Sequence, residues 1–134
     1  MSVPKRWDDG SRKRSVSERQ MSEQPNDIWS AFQSVELRVG TVREALPFPE
    51  ARVAAIKLRI DFGDFGERWS SAQITERYTP DDLIDRQVLA VTNLPPKRVA
   101  GFKSECLTVG VPDADGAVVL VVPEARVGNG ARLY

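Results

Sequence analysis

Histidine is missing from this sequence altogether, and cysteine occurs only once, at Cys106. Without histidine, the chain cannot form a Ser-His-Asp or Cys-His catalytic arrangement, or a metal site with histidine ligands. A single cysteine excludes an internal disulfide and any cysteine-based zinc cluster. Because the commonest general base is absent, the composition favours a binding module over an enzyme. We therefore expect no catalytic residue, no metal and no cofactor.

Long apolar segments and a net charge of one sign are missing as well. The longest apolar run covers residues 117–122, far short of the roughly 20 residues that cross a bilayer. No segment has the residue order of a signal peptide. Lys plus Arg and Asp plus Glu both number 19, so the formal net charge is zero, and 41% of the residues are apolar. This composition predicts a folded cytoplasmic protein without membrane insertion.

The charges are spread unevenly along the chain. Residues 1–20 hold six basic and three acidic residues but few apolar ones, so they cannot bury enough surface to offset the entropy of ordering. We expect residues 1–25 to form a disordered tail and residues 26–134 to form the folded domain. Since Met21 begins a start-like Met-Ser-Glu-Gln sequence, the first 20 residues are an over-extended start, a cloning remnant or a basic arm that binds nucleic acid.

Apolar spacing predicts a short helix followed by strands. Ile28, Phe32 and Val35 are spaced as on one helical face, and Asn26 or Asp27 can cap the first turn. From there on the apolar period changes from that of a helix to two, which is typical of strands. The predicted strands are residues 35–46, 54–62, 68–74, 87–94 and 101–111.

The order of these elements indicates the fold. Residues 79–84 predict a short helix between strands 3 and 4, with Thr79 as its cap and Pro80 at its first position. Gly40, where the apolar register shifts, predicts a bulge or sharp bend in the first strand. We predict an all-β fold, a five-stranded Greek-key OB-fold barrel with a short N-terminal helix, a helix between strands 3 and 4, and a C-terminal strand extension. A small β-sandwich is the structural alternative.

One candidate site follows the fourth strand, where positive charge is concentrated. Between Arg86 and Lys103 there are four basic residues and no acidic one. Two prolines fix the backbone ahead of Lys97 and Arg98, and Phe102 has the shape to stack on a base. Basic and polar side chains here are candidates for phosphate contacts. The alternative is an ordinary charged surface loop with a phenylalanine that closes the end of the barrel.

A second candidate site is the third predicted strand. Ser71 and Gln73 fall on one face of this strand, whereas Ser70, Ala72 and Ile74 fall on the other. Small side chains on a barrel strand leave a shallow groove, and the glutamine amide offers both a donor and an acceptor. The alternative is that serine and alanine only make room for bulky neighbours.

Four sequence strings resemble one family closely. They are Phe-Pro-Glu-Ala-Arg-Val-Ala-Ala-Ile-Lys-Leu at 48–58, Ser-Ser-Ala-Gln-Ile-Thr at 70–75, Asn-Leu-Pro-Pro at 93–96 and Ala-Gly-Phe-Lys-Ser-Glu at 100–105. They are similar to the CsaA family, the export-related chaperones of bacteria. That family is related to stand-alone tRNA-binding domains and to those appended to methionyl-tRNA synthetases. The resemblance covers roughly residues 28–134.

This resemblance implies an OB-fold, a homodimer and no catalysis. It also implies that the partners are unfolded or exported polypeptides, with the export machinery as a further partner. We expect apolar client side chains to enter a groove between the third strand and the loop after the fourth. The predicted peptide-binding residues are Ser70, Ser71, Ala72, Gln73, Ile74, Pro95, Pro96 and Phe102.

The wider family implies tRNA binding through the Asn-Leu-Pro-Pro to Ser-Glu region. The predicted RNA-binding residues are Asn93, Lys97, Arg98, Lys103, Ser104 and Glu105. In tRNA-binding relatives the Ser-Glu pair precedes Gly-Met, whereas Cys106 and Leu107 stand here, and this departure favours the chaperone branch. The sequence thus leaves two hypotheses, a dimeric peptide-binding chaperone and a structure-specific tRNA- or single-stranded-RNA-binding protein.

The dimer is also expected from the apolar residues themselves. The helix that carries Ile28, Trp29 and Phe32, together with residues 117–122, holds more apolar surface than a small barrel interior needs. Exposed on a monomer, these residues would form a contiguous apolar patch. We therefore expect a dimer with twofold symmetry that buries them.

Overall fold

The first element of the structure is a short helix. A computed structural model describes residues 27–134, and the tail predicted at residues 1–25 lies outside the described residues. Helix α1 spans Ile28–Gln33, and Asp27 caps it by accepting a hydrogen bond from the Ser30 backbone N–H at 2.8 Å. None of the residues of α1 is buried. Backbone contacts divide the chain into two units between Val35 and Glu36.

The regular secondary structure of the second unit, Glu36–Tyr134, consists mainly of strands. Five of them form an antiparallel sheet in the order β3-β2-β1-β4-β7, and the remaining four form two hairpins, β5–β6 and β8–β9. The elements are β1 (Leu37–Pro47), β2 (Ile56–Asp61), β3 (Glu67–Ala72), α2 (Pro80–Leu83), β4 (Gln87–Val91), β5 (Lys97–Val99), β6 (Phe102–Ser104), β7 (Leu107–Thr108), β8 (Gly110–Pro112) and β9 (Val118–Leu120).

The two ends of the five-stranded sheet meet, so the sheet is a nearly closed barrel. The Thr108 hydroxyl on β7 donates to the Ser70 hydroxyl on β3 at 2.9 Å, and the Glu105 backbone N–H donates to the Trp69 carbonyl at 2.7 Å. With α2 lying between β3 and β4, this is the predicted all-β, OB-like fold. No helix among residues 27–134 combines the length and the apolar character needed to cross a bilayer.

The alternation in the sequence explains how β2 and β4 build the core. Ile56, Leu58 and Ile60 on β2 are at most 1% exposed, while the charged residues between them face outwards. Every residue of β4 is buried, as its nearly continuous apolar sequence predicts. Burying an aliphatic side chain of this size contributes about 1.5–3 kcal/mol, so these two strands account for much of the stability of the barrel.

Strand β1 is bent, but the irregularity does not lie at Gly40. The register of β1 against β2 shifts between Val42 and Glu44, so the predicted bulge is real and its predicted position was wrong. Gly40 has a different role. A Cβ at this position would lie 2.5 Å from Ile60 Cγ2 and 2.8 Å from the Phe62 ring. Glycine is required because two core side chains pack directly over the backbone.

Helix α2 begins as its sequence predicts. Thr79 is its N-cap and Asp82 completes a capping box, accepting from the Thr79 backbone N–H at 2.9 Å. This hydrogen bond lowers the pKa of the Asp82 carboxyl below its ordinary value. Asp82 therefore has a structural role, as expected for an aspartate at a helix start.

The predicted fifth strand, residues 101–111, is wrong as a single element. The structure divides it into β6, β7 and β8, which pair with β5, β4 and β9. β6 ends at Ser104, and the next residue, Glu105, binds the edge of β3 through both its backbone N–H and its carboxylate. In the C-terminal extension, Leu120 belongs to the core, so residues 117–122 are less available to a dimer interface than the sequence predicts.

The last residues close the other end of the barrel. The Val39 backbone N–H donates to the Ala131 carbonyl at 2.9 Å, and the Leu133 N–H donates to the Leu37 carbonyl at 2.8 Å. The Asn129 side-chain oxygen accepts from the buried Thr41 hydroxyl at 2.7 Å. The C-terminal segment thus runs antiparallel along the first half of β1, with an isolated bridge between Arg38 and Arg132.

Candidate functional site

A groove of about 930 Å³ lies beside the end of β3. Four stretches line it, from the β1–β2 loop, from the end of β3, from residues 94–100 and from residues 104–110, with one residue of β9. Its walls are mainly apolar, and the larger apolar side chains are Val53, Ile74, Leu94, Val99, Leu107 and Val118. A groove of this volume and character is typical of a ligand site.

The end of β3 supplies one wall of the groove, and all but one of the residues predicted there line it. Ser71, Ala72, Gln73 and Ile74 line the groove. Ser70 does not, because it is fully buried and hydrogen bonded inside the barrel. The strand ends at Ala72, two residues earlier than predicted, because the Ile74 backbone N–H turns back to the Ala72 carbonyl at 3.0 Å.

The segment after β4 supplies the facing wall. Pro95, Lys97 and Arg98 line the groove, so the structure brings together the two segments that the sequence predicts to flank one site. Pro96 is exposed but is not among the lining residues. The Asn93 side-chain oxygen accepts a hydrogen bond from the Glu36 backbone N–H at 2.9 Å, which fixes the start of this loop.

The stretch predicted as a loop contains a hairpin. Lys97 pairs with Ser104 and Val99 with Phe102, and the two-residue turn has positive φ at both positions. These values are 48° at Ala100 and 82° at Gly101, as in the type I′ turn that suits the twist of a hairpin. A non-glycine residue with positive φ is strained. Ala100 carries that strain while its side chain lines the groove.

Ser104 and Glu105 attach this hairpin to the barrel. The Ser104 hydroxyl oxygen accepts from the Ser71 backbone N–H at 3.0 Å, and the Glu105 carboxylate accepts from the Trp69 N–H at 2.9 Å. Both donors lie on the outer edge of β3, where no further strand pairs. The predicted RNA-binding role of Ser104 and Glu105 stays a prediction, and in the structure their side chains satisfy this strand edge.

Phe102 attaches the hairpin from the same face. Its ring packs edge-on against Phe48, with centroids 5.4 Å apart, and against Trp69 at 5.8 Å. The Lys57 ammonium lies 4.7 Å from the Phe48 ring centroid and 5.0 Å from that of Phe102. Phe102 is half-buried in this cluster and is not among the groove-lining residues.

The charges that line the groove are all positive. Arg52, Lys97 and Arg98 are exposed, and no acidic residue of the described chain lines the groove. Within residues 27–134, no carboxylate lies within ion-pair distance of these three cations. Several other arginines of the barrel are paired with carboxylates, as at Arg59, whose guanidinium lies 3.0 Å from Glu44 and 2.8 Å from Glu67.

Two ionisable groups of the barrel have pKa values that are shifted by their structural surroundings. Burial raises the pKa of the Cys106 thiol to about 12, so it stays protonated and is a weak nucleophile. The Arg77 guanidinium and the backbone N–H groups of the following turn lower the pKa of Asp113. Among the described residues, no three His, Cys, Asp or Glu side chains lie together as metal ligands.

Sequence reasoning missed part of the groove. Arg52 and Val53 come from the β1–β2 loop, while Thr108 and Val118 come from β7 and β9. These positions carry no distinctive spacing, because they come together only when the barrel closes. The one available signal was the string at 48–58 shared with the similar family, which includes Arg52 and Val53.

Comparison with known proteins identifies the family. A family model described as "Putative tRNA binding domain" matches residues 37–132, which is nearly the whole barrel. The chain belongs to this family. Within it, the chain is CsaA-like, since a crystal structure of chaperone CsaA from Bacillus anthracis is 55% identical, with a TM-score of 0.74, over 79% of this chain and 96% of that one.

Two further relatives are similar to this chain over most of its length. A CsaA chaperone structure from Picrophilus torridus is 41% identical, with a TM-score of 0.74, over 79% of this chain and 97% of that one. A methionine–tRNA ligase of Porphyromonas gingivalis is 35% identical over 76% of this chain. The chain spans only 15% of the length of that ligase. The match therefore concerns one domain of the ligase.

Proposed function

We propose that this chain is a non-catalytic, homodimeric chaperone that holds apolar segments of unfolded or export-destined polypeptides in the groove beside β3. The observation that carries the proposal is the mainly apolar lining of a groove of about 930 Å³. Side chains such as Leu94 and Leu107, which are 45% and 51% exposed, are available to an incoming chain. Their burial against a client supplies the main free energy of binding.

The comparisons support this proposal. Two of the most similar solved structures carry the name chaperone CsaA. The match with this chain covers 96% of one of them and 97% of the other. The absence of catalysis is supported by the family, by the missing histidine and by a cysteine whose pKa lies far above neutral pH. A single free cysteine suits a reducing compartment, so we place this activity in the cytoplasm.

The apolar face of α1 supports the dimer. Ile28 is 84% exposed and Trp29 is 59% exposed, and side chains of this size rarely face solvent together on a soluble monomer. We expect the full chain to have twice its monomer mass of 14.9 kDa in light scattering at micromolar concentration. Replacing Ile28 and Trp29 with serine should shift it towards the monomer, and a monomeric parent protein would contradict the proposal.

Peptide binding is tested with a neutral, fluorescently labelled peptide that carries a central Leu-Phe-Leu between glutamines. Leu107→Ser removes exposed apolar area from the groove and should weaken binding by about 1 kcal/mol, or roughly fivefold in Kd. Ile84→Ser is the matched control, because Ile84 is 40% exposed but does not line the groove. Equal Kd values for the parent and Leu107→Ser would place binding elsewhere.

A second candidate function is tRNA or single-stranded RNA binding. It is favoured by the exposed cations of the β5–β6 hairpin, Lys97, Arg98 and Lys103, and by the name of the family. Three phosphate contacts give a binding constant that falls about 20-fold for a single strand, and about 40-fold for a duplex, between 50 and 200 mM salt. Binding of the neutral peptide should change little over that range. A salt titration with each ligand therefore distinguishes the two functions.

A further inference from the structure

The groove combines an apolar lining with charge of a single sign. Arg52, Lys97 and Arg98 line it, and among residues 27–134 the groove lining contains no Asp or Glu. Each of these cations is exposed. The local potential is therefore positive, although the whole chain has equal numbers of basic and acidic residues.

Within residues 27–134 this positive charge has no carboxylate partner, in contrast to two arginines on the neighbouring strands. On the strands, Arg43 pairs with Asp61 at 3.1 Å and Arg59 pairs with Glu44 and Glu67. For the groove cations, the described chain offers no carboxylate within 4.0 Å. The nearest carboxylate along the hairpin, Glu105, is already engaged by the Trp69 backbone N–H.

The cations come from two separate segments of the groove lining. Arg52 belongs to the β1–β2 loop, whereas Lys97 and Arg98 belong to the hairpin that forms the facing wall. An extended chain that buries apolar side chains between these walls has its flanking residues next to one cation group or the other. Carboxylates at those flanks gain favourable ion pairs, whereas lysines meet like charge.

From this charge complementarity we propose that the groove selects apolar segments flanked by acidic residues, and disfavours those flanked by basic residues. The inference rests on the proposed function, since it names the class of polypeptide that the same groove takes. RNA also carries negative charge, but the apolar side chains that dominate the lining offer phosphates no partner. An acidic-apolar polypeptide uses both properties of the groove.

The test compares three labelled peptides with the same Leu-Phe-Leu centre and two flanking residues on each side, which are glutamate, glutamine or lysine. Fluorescence anisotropy with the full chain at 50 mM NaCl should give the tightest Kd for the glutamate peptide and the weakest for the lysine peptide, about tenfold apart. At 0.5 M NaCl the gap should shrink below threefold, because exposed charges are screened.

Charge reversal then assigns the preference to the groove. Lys97→Glu should reduce the preference for the glutamate peptide at least threefold. Arg126→Glu is the matched control, because it makes the same change in charge at an exposed arginine that does not line the groove. An equal loss in both variants would mean that the preference comes from overall charge, and would overturn the assignment to the groove.

The remaining outcomes separate this inference from the proposed function. If the three peptides bind with Kd values within twofold, or if the lysine peptide binds best, the inference is overturned and the proposed function stands. If no peptide binds at 200 µM while a single-stranded RNA 12-mer does, the groove is a nucleic-acid site and both proposals fall.

Discussion

Replacing Glu105 with alanine tests whether this side chain is part of the barrel or part of an RNA-binding surface. In the structure its carboxylate accepts the Trp69 backbone N–H at 2.9 Å, at the outer edge of β3. A hydrogen bond to a charged group contributes about 1.5–3 kcal/mol when it is buried. Because Glu105 and Trp69 are both half-buried, water partly replaces the lost acceptor, and we expect a loss of about 1–2 kcal/mol.

Thermal unfolding and amide exchange measure this loss. For a unit of this size the expected fall in Tm is about 5–10 °C, and the Trp69 amide should exchange faster in the variant. Ser104→Ala should expose the Ser71 amide in the same way, with a smaller loss of about 0.5–1.5 kcal/mol, since that acceptor is uncharged. The double variant should lose less than the sum, because both side chains hold the same hairpin.

Lys103→Ala is the control for these two variants. Lys103 lies next to Ser104 on β6 but is exposed, so its replacement should change stability by less than about 0.5 kcal/mol. The structural interpretation predicts that Glu105→Ala and Ser104→Ala affect stability more than RNA binding. Unchanged Tm and unchanged exchange at Trp69, together with weaker RNA binding, would refute it and support the interpretation from the sequence.

Three further predictions concern packing and pH. Gly40→Ala should destabilise the barrel by about 1–3 kcal/mol, because the added methyl group overpacks against Ile60 and Phe62. Gly128→Ala is the control, since a Cβ there meets no atom within 4 Å, and it should leave stability in chemical denaturation unchanged. Equal effects of the two substitutions would contradict the packing argument. Phe102→Ala should lower the free energy of unfolding by about 1–3 kcal/mol, because this half-buried ring loses about half of what a core phenylalanine contributes. Weaker ligand binding with an unchanged Tm would show that the ring contributes little to holding the hairpin. Since the pKa of Asp82 and of other carboxyls is lowered on folding, their stabilisation is present above their unfolded pKa near 3.8 and is lost as pH falls below it. With no histidine, Tm should be constant between about pH 5.5 and 8, and a step in that range in a pH series of melting curves would contradict this assignment.

The sequence predicts those elements whose cause is local. The alternation of β2 and the start of α2, with Thr79 as its cap and Pro80 at its first position, are both visible in a few neighbouring residues, and both are confirmed. The position of the bulge in β1 was wrong, because Gly40 is required by the packing of Ile60 and Phe62, which belong to another part of the chain. Long-range packing leaves no periodic signal at the glycine itself.

In the candidate site, too, the residues with a local signal were predicted, and those that depend on long-range packing were not. The strings at 70–75 and 93–96 identify two groove segments, because each carries an unusual composition. The division of residues 101–111 into three strands was missed, since the edge of β3 that Glu105 binds after the end of β6 is distant in the sequence. Arg52 and Val118 reach the groove only through barrel closure, so no pattern near them predicts their role.

The alternation along the β5–β6 hairpin places its contacts with the barrel and two of its cations on opposite faces. Phe102 and Ser104 share the face that is fastened to the barrel, while the register places Arg98 opposite Lys103 on the other face. The residues that hold the hairpin are thus not those that present most of its charge. Substitutions at positions 98 and 103 should therefore change the charge of the hairpin while the contacts of Phe102 and Ser104 with the barrel stay in place.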